Sequence, residues 1–202
     1  MTDVSTTGRA GQDKSAARVL LDAEGLARTL ARVAHELIES TDDLPSLVLV
    51  GIHTRGVPLA ERLRALIAER SGVELQLGTI DIAFHRDDVV FRAGAAPRRA
   101  HPVLHGTELR FVPEGKTCIL VDDVLSTGRT IRAAIDALLE FGRPERIQLA
   151  VLIDRGHREL PIRPDYVGKN VPTATDERVY VRLQETDGED TVLVVGGQEN
   201  VT

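Results

Sequence analysis

Residues 117–130 read TCILVDDVLSTGRT, with Asp122 and Asp123 standing directly ahead of a run of small polar residues. Cys118, Ile119, Leu120 and Val121 form a short continuous apolar run, the pattern of a strand buried on both faces of a parallel sheet. Ile131, Ala134, Ile135 and Leu138 then recur at helical spacing. The polar residues therefore fall where a strand ends and a helix begins, which is where open α/β sheets bind ligands. Ser126, Thr127, Gly128, Arg129 and Thr130 offer hydroxyls and backbone N–H groups at the positive end of a helix dipole, which suits a phosphate. Two adjacent carboxylates repel phosphate; they suit ribose hydroxyls, or a divalent cation held through water. One ligand carrying phosphate, ribose and metal satisfies both halves. The Gly-Lys-Ser/Thr of a Walker A loop and the GxGxxG of dinucleotide folds are both missing, which argues against ATP and NAD.

A second strand-loop-helix unit follows the same logic. Leu47, Val48, Leu49 and Val50 are apolar, GIHTRG follows at 51–56, and Pro58, Leu59, Leu63, Leu66 and Ile67 open and continue a helix. Two glycines allow a tight turn that presents N–H groups, while Arg55 neutralises charge beside the hydroxyl of Thr54. Between 85 and 107 the chain carries Arg86, Asp87, Asp88, Arg92, Arg98 and Arg99 with Gly94 and Pro97, too long and too charged for a plain connection. It reads as a hairpin or mobile lid that excludes water and balances a departing anion.

The elements that position these loops follow from periodicity. A helix begins at Asp22 or Glu24, with Leu26, Leu30, Val33 and Leu37 as its core stripe and Arg28, Arg32, His35 and Glu39 on an outward stripe. Further strands are expected at 78–84, 147–153, 178–183 and 191–195. The strand at 147–153 closes a βαβ unit with the acid-pair segment. It leads into DRGHRELPIR at 154–163, a dense basic run for a chain of net charge −6, with Lys169 just beyond.

The chain of 202 residues is of a size for one domain with a real core. Residues 1–16 read as a disordered tail and 17–198 as a single domain. The lone cysteine, Cys118, lies in an apolar strand and excludes a disulfide framework. His101 and His105 are four apart, but Pro102 and Gly106 oppose the helix that would align them on a metal. No signal-peptide core or membrane-length apolar run occurs, which gives the expectation of a cytoplasmic protein. Trp is absent and Phe and Tyr number four and two, so any RNA contact would rest on Arg, Lys and His in place of an aromatic platform.

Taken together, VGIHTRG, DIAFHRDD, VDDVLSTGRT, GRPERIQLAVLIDRGHRELPIR and DYVGKNVP resemble the type I phosphoribosyltransferases. Within that class they resemble the bacterial PyrR family of pyrimidine-operon regulators and uracil phosphoribosyltransferases, over about residues 19–195; RGHRELPIR is the more specific signature. The resemblance implies an α/β fold with a central, mainly parallel sheet flanked by helices, a hood over about 155–195 and a lid over about 85–107. It implies transfer of ribose 5-phosphate from 5-phosphoribosyl-1-pyrophosphate (PRPP) to uracil, giving UMP, with Mg²⁺ brought by PRPP and no direct protein ligand to the metal. Asp122 and Asp123 would hold the ribose, with Val124, Leu125, Ser126, Thr127, Gly128, Arg129 and Thr130 on the 5-phosphate and Thr54 and Arg55 on pyrophosphate. Lid arginines Arg86, Arg98 and Arg99 would assist, and uracil would lie near Arg155 and Val179. It further implies UMP-dependent binding of leader mRNA through Arg32, His35, His157, Arg158, Arg163 and Lys169, in a homodimer or larger homo-oligomer. Ser126 stands where relatives often carry Tyr, and Ala31 where some carry Thr. A purely metabolic phosphoribosyltransferase for uracil or another base, and a pure regulator that only senses UMP, are the competing readings of the same residues.

Overall fold

The apolar runs lie side by side as a buried sheet. In the computed structural model of the chain, which describes residues 17–82 and 106–196, they form β2 (Leu47–Ile52), β4 (Thr117–Leu125) and β5 (Arg146–Asp154). With β3 (Gln76–Ile80) and β6 (Tyr166–Asn170) they make a five-stranded sheet in the order β3-β2-β4-β5-β6, every pairing parallel. The tail before residue 17, the residues 83–105 that hold nearly all of the expected lid, and 197–202 lie outside the described residues.

Alternate side chains of each strand go to opposite faces, and each face has its own helices. Leu47, Leu49, Ile119, Val121, Ala150 and Leu152 pack under α1 (Ala23–Glu39) and α2 (Gly56–Ser71). Val48, Val50, Cys118, Leu120, Leu149 and Val151 pack under α3 (Arg129–Leu139). Asp22 caps α1 by accepting the Gly25 N–H at 2.7 Å, and the stripe Leu26, Leu30, Val33, Leu37 is buried as its spacing requires. Each such side chain stabilises the fold by about 2 kcal/mol. Burial pushes the Cys118 thiol up to about 11, so it stays protonated and serves as packing.

Three features depart from expectation. The strand expected at 78–84 begins two residues earlier and ends at Ile80, because Gln76 and Leu77 are already in register with Val48 and Leu49. β4 runs on through Leu125, so the two carboxylates sit in the strand rather than in the turn after it. A second sheet, antiparallel and ordered β1-β8-β7, joins β1 (Arg18–Leu21), β7 (Arg178–Arg182) and β8 (Thr191–Val195). β1 and β6 are too short, and too close to a helix cap or a charged run, to stand out by periodicity.

This small sheet, the hood, is latched to the body by charge. Arg62 of α2 makes paired bonds to Glu185 (2.8 and 2.7 Å) and Asp190 (2.9 and 2.8 Å). Arg55 does the same to Asp187 (3.2 and 2.7 Å), in the short helix α4 (Gln184–Asp187). Hydrogen bonds from Arg62 hold the Glu185 and Asp190 carboxyls below their ordinary range, and Arg55 does this for Asp187. Among the described residues no helix is long and apolar enough to cross a membrane.

Carboxyls with lowered values in the folded state contribute in full above their ordinary range of about 4 and less as pH falls through the lowered values. Acidification below about pH 4 is therefore expected to speed amide hydrogen exchange in β7 and α4 before it does so in β2 and β4. Arg62→Gln should produce the same selective loosening at neutral pH.

Candidate active site

The acid pair of β4 and the loops after β2 and β4 lie at the carboxyl ends of these strands. Asp122 is buried to 7 % exposure and its Oδ1 accepts the N–H of Asp123 at 2.9 Å. Asp123 Oδ1 accepts the N–H of Val124 at 2.8 Å. Burial raises the Asp123 carboxyl above the usual carboxylate range, opposed by the Val124 N–H and by the nearby Arg55 charge. A desolvated carboxylate beside one guanidinium is poised to respond to a cation or a developing positive charge.

The 51–56 loop is held against this pair from the side. The His53 N–H donates to Ile80 O at 2.9 Å, and the His53–Thr54 peptide is cis. Gly56 opens α2 directly over β4: a Cβ there would lie 2.2 Å from Val121 O and 3.3 Å from the Asp122 Cα. Only glycine lets the helix come this close, and the adjoining Arg55 lies near enough for its charge to act on Asp123.

The 124–130 loop is shaped from behind. Gly128 takes φ +92° at the start of α3, a left-handed conformation open to glycine. The carbonyls of Leu125, Ser126 and Thr127 are all taken by donors from the basic run. Arg155 N bonds Leu125 O at 3.1 Å, and Glu159 N and Leu160 N both bond Thr127 O at 3.0 Å. Arg158 Nη1 bonds Ser126 O at 2.9 Å. With these carbonyls taken, the loop and the first turn of α3, where helical N–H groups lack intrahelical acceptors, have the chemistry to receive an anion.

The remaining expected residues fall in two places. Arg155 is turned toward the hood connection, with Nε to Thr173 Oγ1 at 3.1 Å and Nη2 to Glu177 O at 2.7 Å, while Val179 pairs with Val194 inside the hood sheet. Arg32 crosses from α1 to the outer edge of the large sheet, donating to Val167 O at 2.8 Å and Gly168 O at 2.6 Å in β6. Lys169 is exposed on the same strand, and His35 is exposed one turn along α1 from Arg32 with Glu39 at 3.3 Å. His157 and Arg163 line an open cleft of about 600 Å³ that also meets Val167, Asn170 and Thr173. Thus two basic segments remote in sequence converge around β6. Arg158 lines the same cleft, but its guanidinium is held by four acceptors of the chain, Ile162 O, Ser126 O, Gly156 O and Asp154 Oδ2. Arg86, Arg98 and Arg99 lie outside the described residues.

Sequence reasoning missed Arg62, Asp187 and Asp154. The acidic run 184–190 was the available signal for the hood latch, and the four-residue spacing of Asp154 and Arg158 for the second.

The phosphoribosyl transferase domain profile matches residues 17–184. The bifunctional protein PyrR of Chloroflexus aurantiacus is 56 % identical over 181 residues, covering 90 % of this chain and 96 % of that protein. The chain belongs to the PyrR family. The bifunctional protein PyrR of Pelotomaculum thermopropionicum is 54 % identical, over 87 % of this chain and 94 % of that protein. In solved structures the fold is similar to the hypoxanthine phosphoribosyltransferase of Trypanosoma cruzi (TM-score 0.63, 18 % identity, 90 % of this chain and 97 % of that one). It is also similar to the Staphylococcus aureus hypoxanthine phosphoribosyltransferase (TM-score 0.61, 19 % identity, 92 % and 94 %). The PyrR family member described here thus has the type I phosphoribosyltransferase fold.

Gly56→Ala is expected to lift α2 from β4 at a cost of about 2–3 kcal/mol, read as a fall of about 5–10 °C in Tm for a domain of this size. Asp123→Asn keeps the Oδ1 acceptor but removes a partly buried charge. A raised carboxyl costs stability once it ionises, so the variant should melt a few degrees above the parent at pH 7, with the difference vanishing below about pH 4. Thermal melts across pH check both.

Proposed function

We propose that this PyrR family member transfers ribose 5-phosphate from PRPP to N1 of uracil, and that with UMP bound it binds the leader RNA of pyrimidine biosynthetic genes. The observation that supports this best is the acid pair at the end of β4, flanked by a backward-braced phosphate loop on one side and by the Gly56-seated 51–56 loop on the other. In the reaction the C1′–O bond to pyrophosphate breaks, a C1′–N1 bond forms and uracil N1 gives up its proton. Asp122 and Asp123 hold the ribose hydroxyls and face the positive charge that develops at C1′. Residues 124–130 hold the 5-phosphate, and Thr54 and Arg55 hold pyrophosphate, for which Arg55 exchanges or shares Asp187. Uracil lies under the hood near Arg155 and Val179, and Arg86, Arg98 and Arg99 belong to the lid over 85–107. The all-oxygen donor set of the acid pair suits a hard cation through water, and Mg²⁺ arriving with PRPP supplies charge neutralisation for the leaving group. Catalysis comes from positioning and electrostatic stabilisation with no covalent nucleophile.

For regulation, the face around β6 takes RNA. Arg32, His35, His157, Arg163 and Lys169 gather there, and the adjoining cleft is wide enough for unstacked nucleotides of a loop. A cytoplasmic homodimer or larger homo-oligomer would present two such faces.

The test pairs two assays on one preparation. Uracil with PRPP and Mg²⁺ should give UMP at an ordinary enzymatic rate, and Asp122→Asn with Asp123→Asn should lower it by at least about 10²–10³-fold. UMP should tighten binding to the leader transcript of the organism's own pyrimidine genes at a stated salt concentration. Turnover of a purine base in place of uracil would overturn the substrate; normal uracil turnover without specific RNA binding would leave a salvage enzyme.

A further inference from the structure

Arg158 is the best-tethered side chain between the phosphate loop and the basic face. Its Nε donates to Ile162 O at 2.9 Å, Nη1 to Ser126 O at 2.9 Å and Gly156 O at 3.2 Å, and Nη2 to Asp154 Oδ2 at 2.5 Å. Its side chain is 23 % exposed and that of Asp154 15 %. One planar guanidinium therefore binds the phosphate loop, the end of β5 and both ends of its own segment. The loop is left-handed beside it, at Gly156 (φ +79°) and His157 (φ +61°), a conformation that costs a non-glycine residue energy and persists only when surrounding contacts impose it. His157 in turn reaches Thr173 O at 2.8 Å, so the position of its ring in the cleft depends on the same local geometry.

We propose that Arg158 is a positioning residue that couples occupancy of the 5-phosphate loop to the conformation of the basic run, rather than a contact to RNA phosphate. The coupling to RNA deepens the regulatory reading given above and rests on it. When a nucleotide phosphate orders residues 124–130, Ser126 O is fixed; through the rigid fork of Arg158, Ile162 O and Gly156 O are then fixed too, which sets Arg163 and His157 for RNA. A second route, from Thr127 O to the amides of Glu159 and Leu160, runs on from Leu160 O to the Ile162 N–H at 2.8 Å, whereas the Ile162 carbonyl, whose peptide carries the Arg163 N–H, is held by Arg158.

The two roles for Arg158 separate experimentally because lysine keeps the charge but not the fork. In Arg158→Lys, leader RNA binding without UMP should match the parent within about twofold, with an unchanged salt slope, while the enhancement by UMP falls towards one. Asp154→Asn, which leaves Arg158 its charge but loosens its seat, should also reduce the enhancement. A direct phosphate contact makes the opposite forecast: Arg158→Lys binds with full UMP enhancement, Asp154→Asn binds more tightly, and Arg158→Gln lowers the salt slope by about one with and without UMP. Residue-resolved amide exchange gives a readout without RNA. UMP should slow Arg163 in the parent and not in Arg158→Lys, with Glu159, Leu160 and Ile162 slowed in both. An identical response of Arg163 in parent and variant overturns the coupling. Absence of RNA binding by the parent would overturn the regulatory reading alone, and the exchange data would still decide the coupling.

Discussion

A loop can receive a phosphate only if its carbonyl oxygens are kept away from the anion, and the turn after β4 satisfies that constraint. Leu125, Ser126 and Thr127 meet it by spending all three carbonyls on donors from residues 155–160. The donors are fixed because β5 is paired along its length with β4, which delivers the segment after Asp154 to the back of the turn after Leu125. The parallel sheet thus does more than bury apolar side chains. Its register sets the turn after β4 beside the segment after β5 that braces it.

A similar economy sets the other wall of the site. Placing a helix within contact distance of strand backbone requires a residue without a side chain, and Gly56 supplies it over Val121. The charge that results from crowding two carboxylates there is partly offset by Arg55, itself oriented by Asp187 from the hood. The hood is consequently tied into the electrostatics of the site, and any movement of α4 changes the potential felt at Asp123.

Much of this was legible in the sequence. The core strands, the stripe of α1 and the strand-to-helix placement of 122–130 follow from apolar periodicity, because buried parallel strands and amphipathic helices leave strong local patterns. Asp122 and Asp123 stood out as adjacent acids in an apolar context. What periodicity does not carry is pairing between distant segments: β1 and β6 are short and defined by their partners, and the hood latch joins residues more than 120 positions apart. The role of Arg158 was hidden for the same reason, since a basic run looks alike whether its guanidinium groups face solvent or backbone carbonyls.

The hood sheet has a consequence for how the chain comes to its final form. β1 pairs with β8, with Arg18 opposite Val194, so this strand must wait for nearly the whole chain before it has a partner. β2, α2 and β3 are close in sequence and can associate early, whereas long-range pairings close late because loop entropy must first be overcome. During synthesis the large sheet can therefore assemble before the small one, in which β1 finds its partner only once β8 has been made.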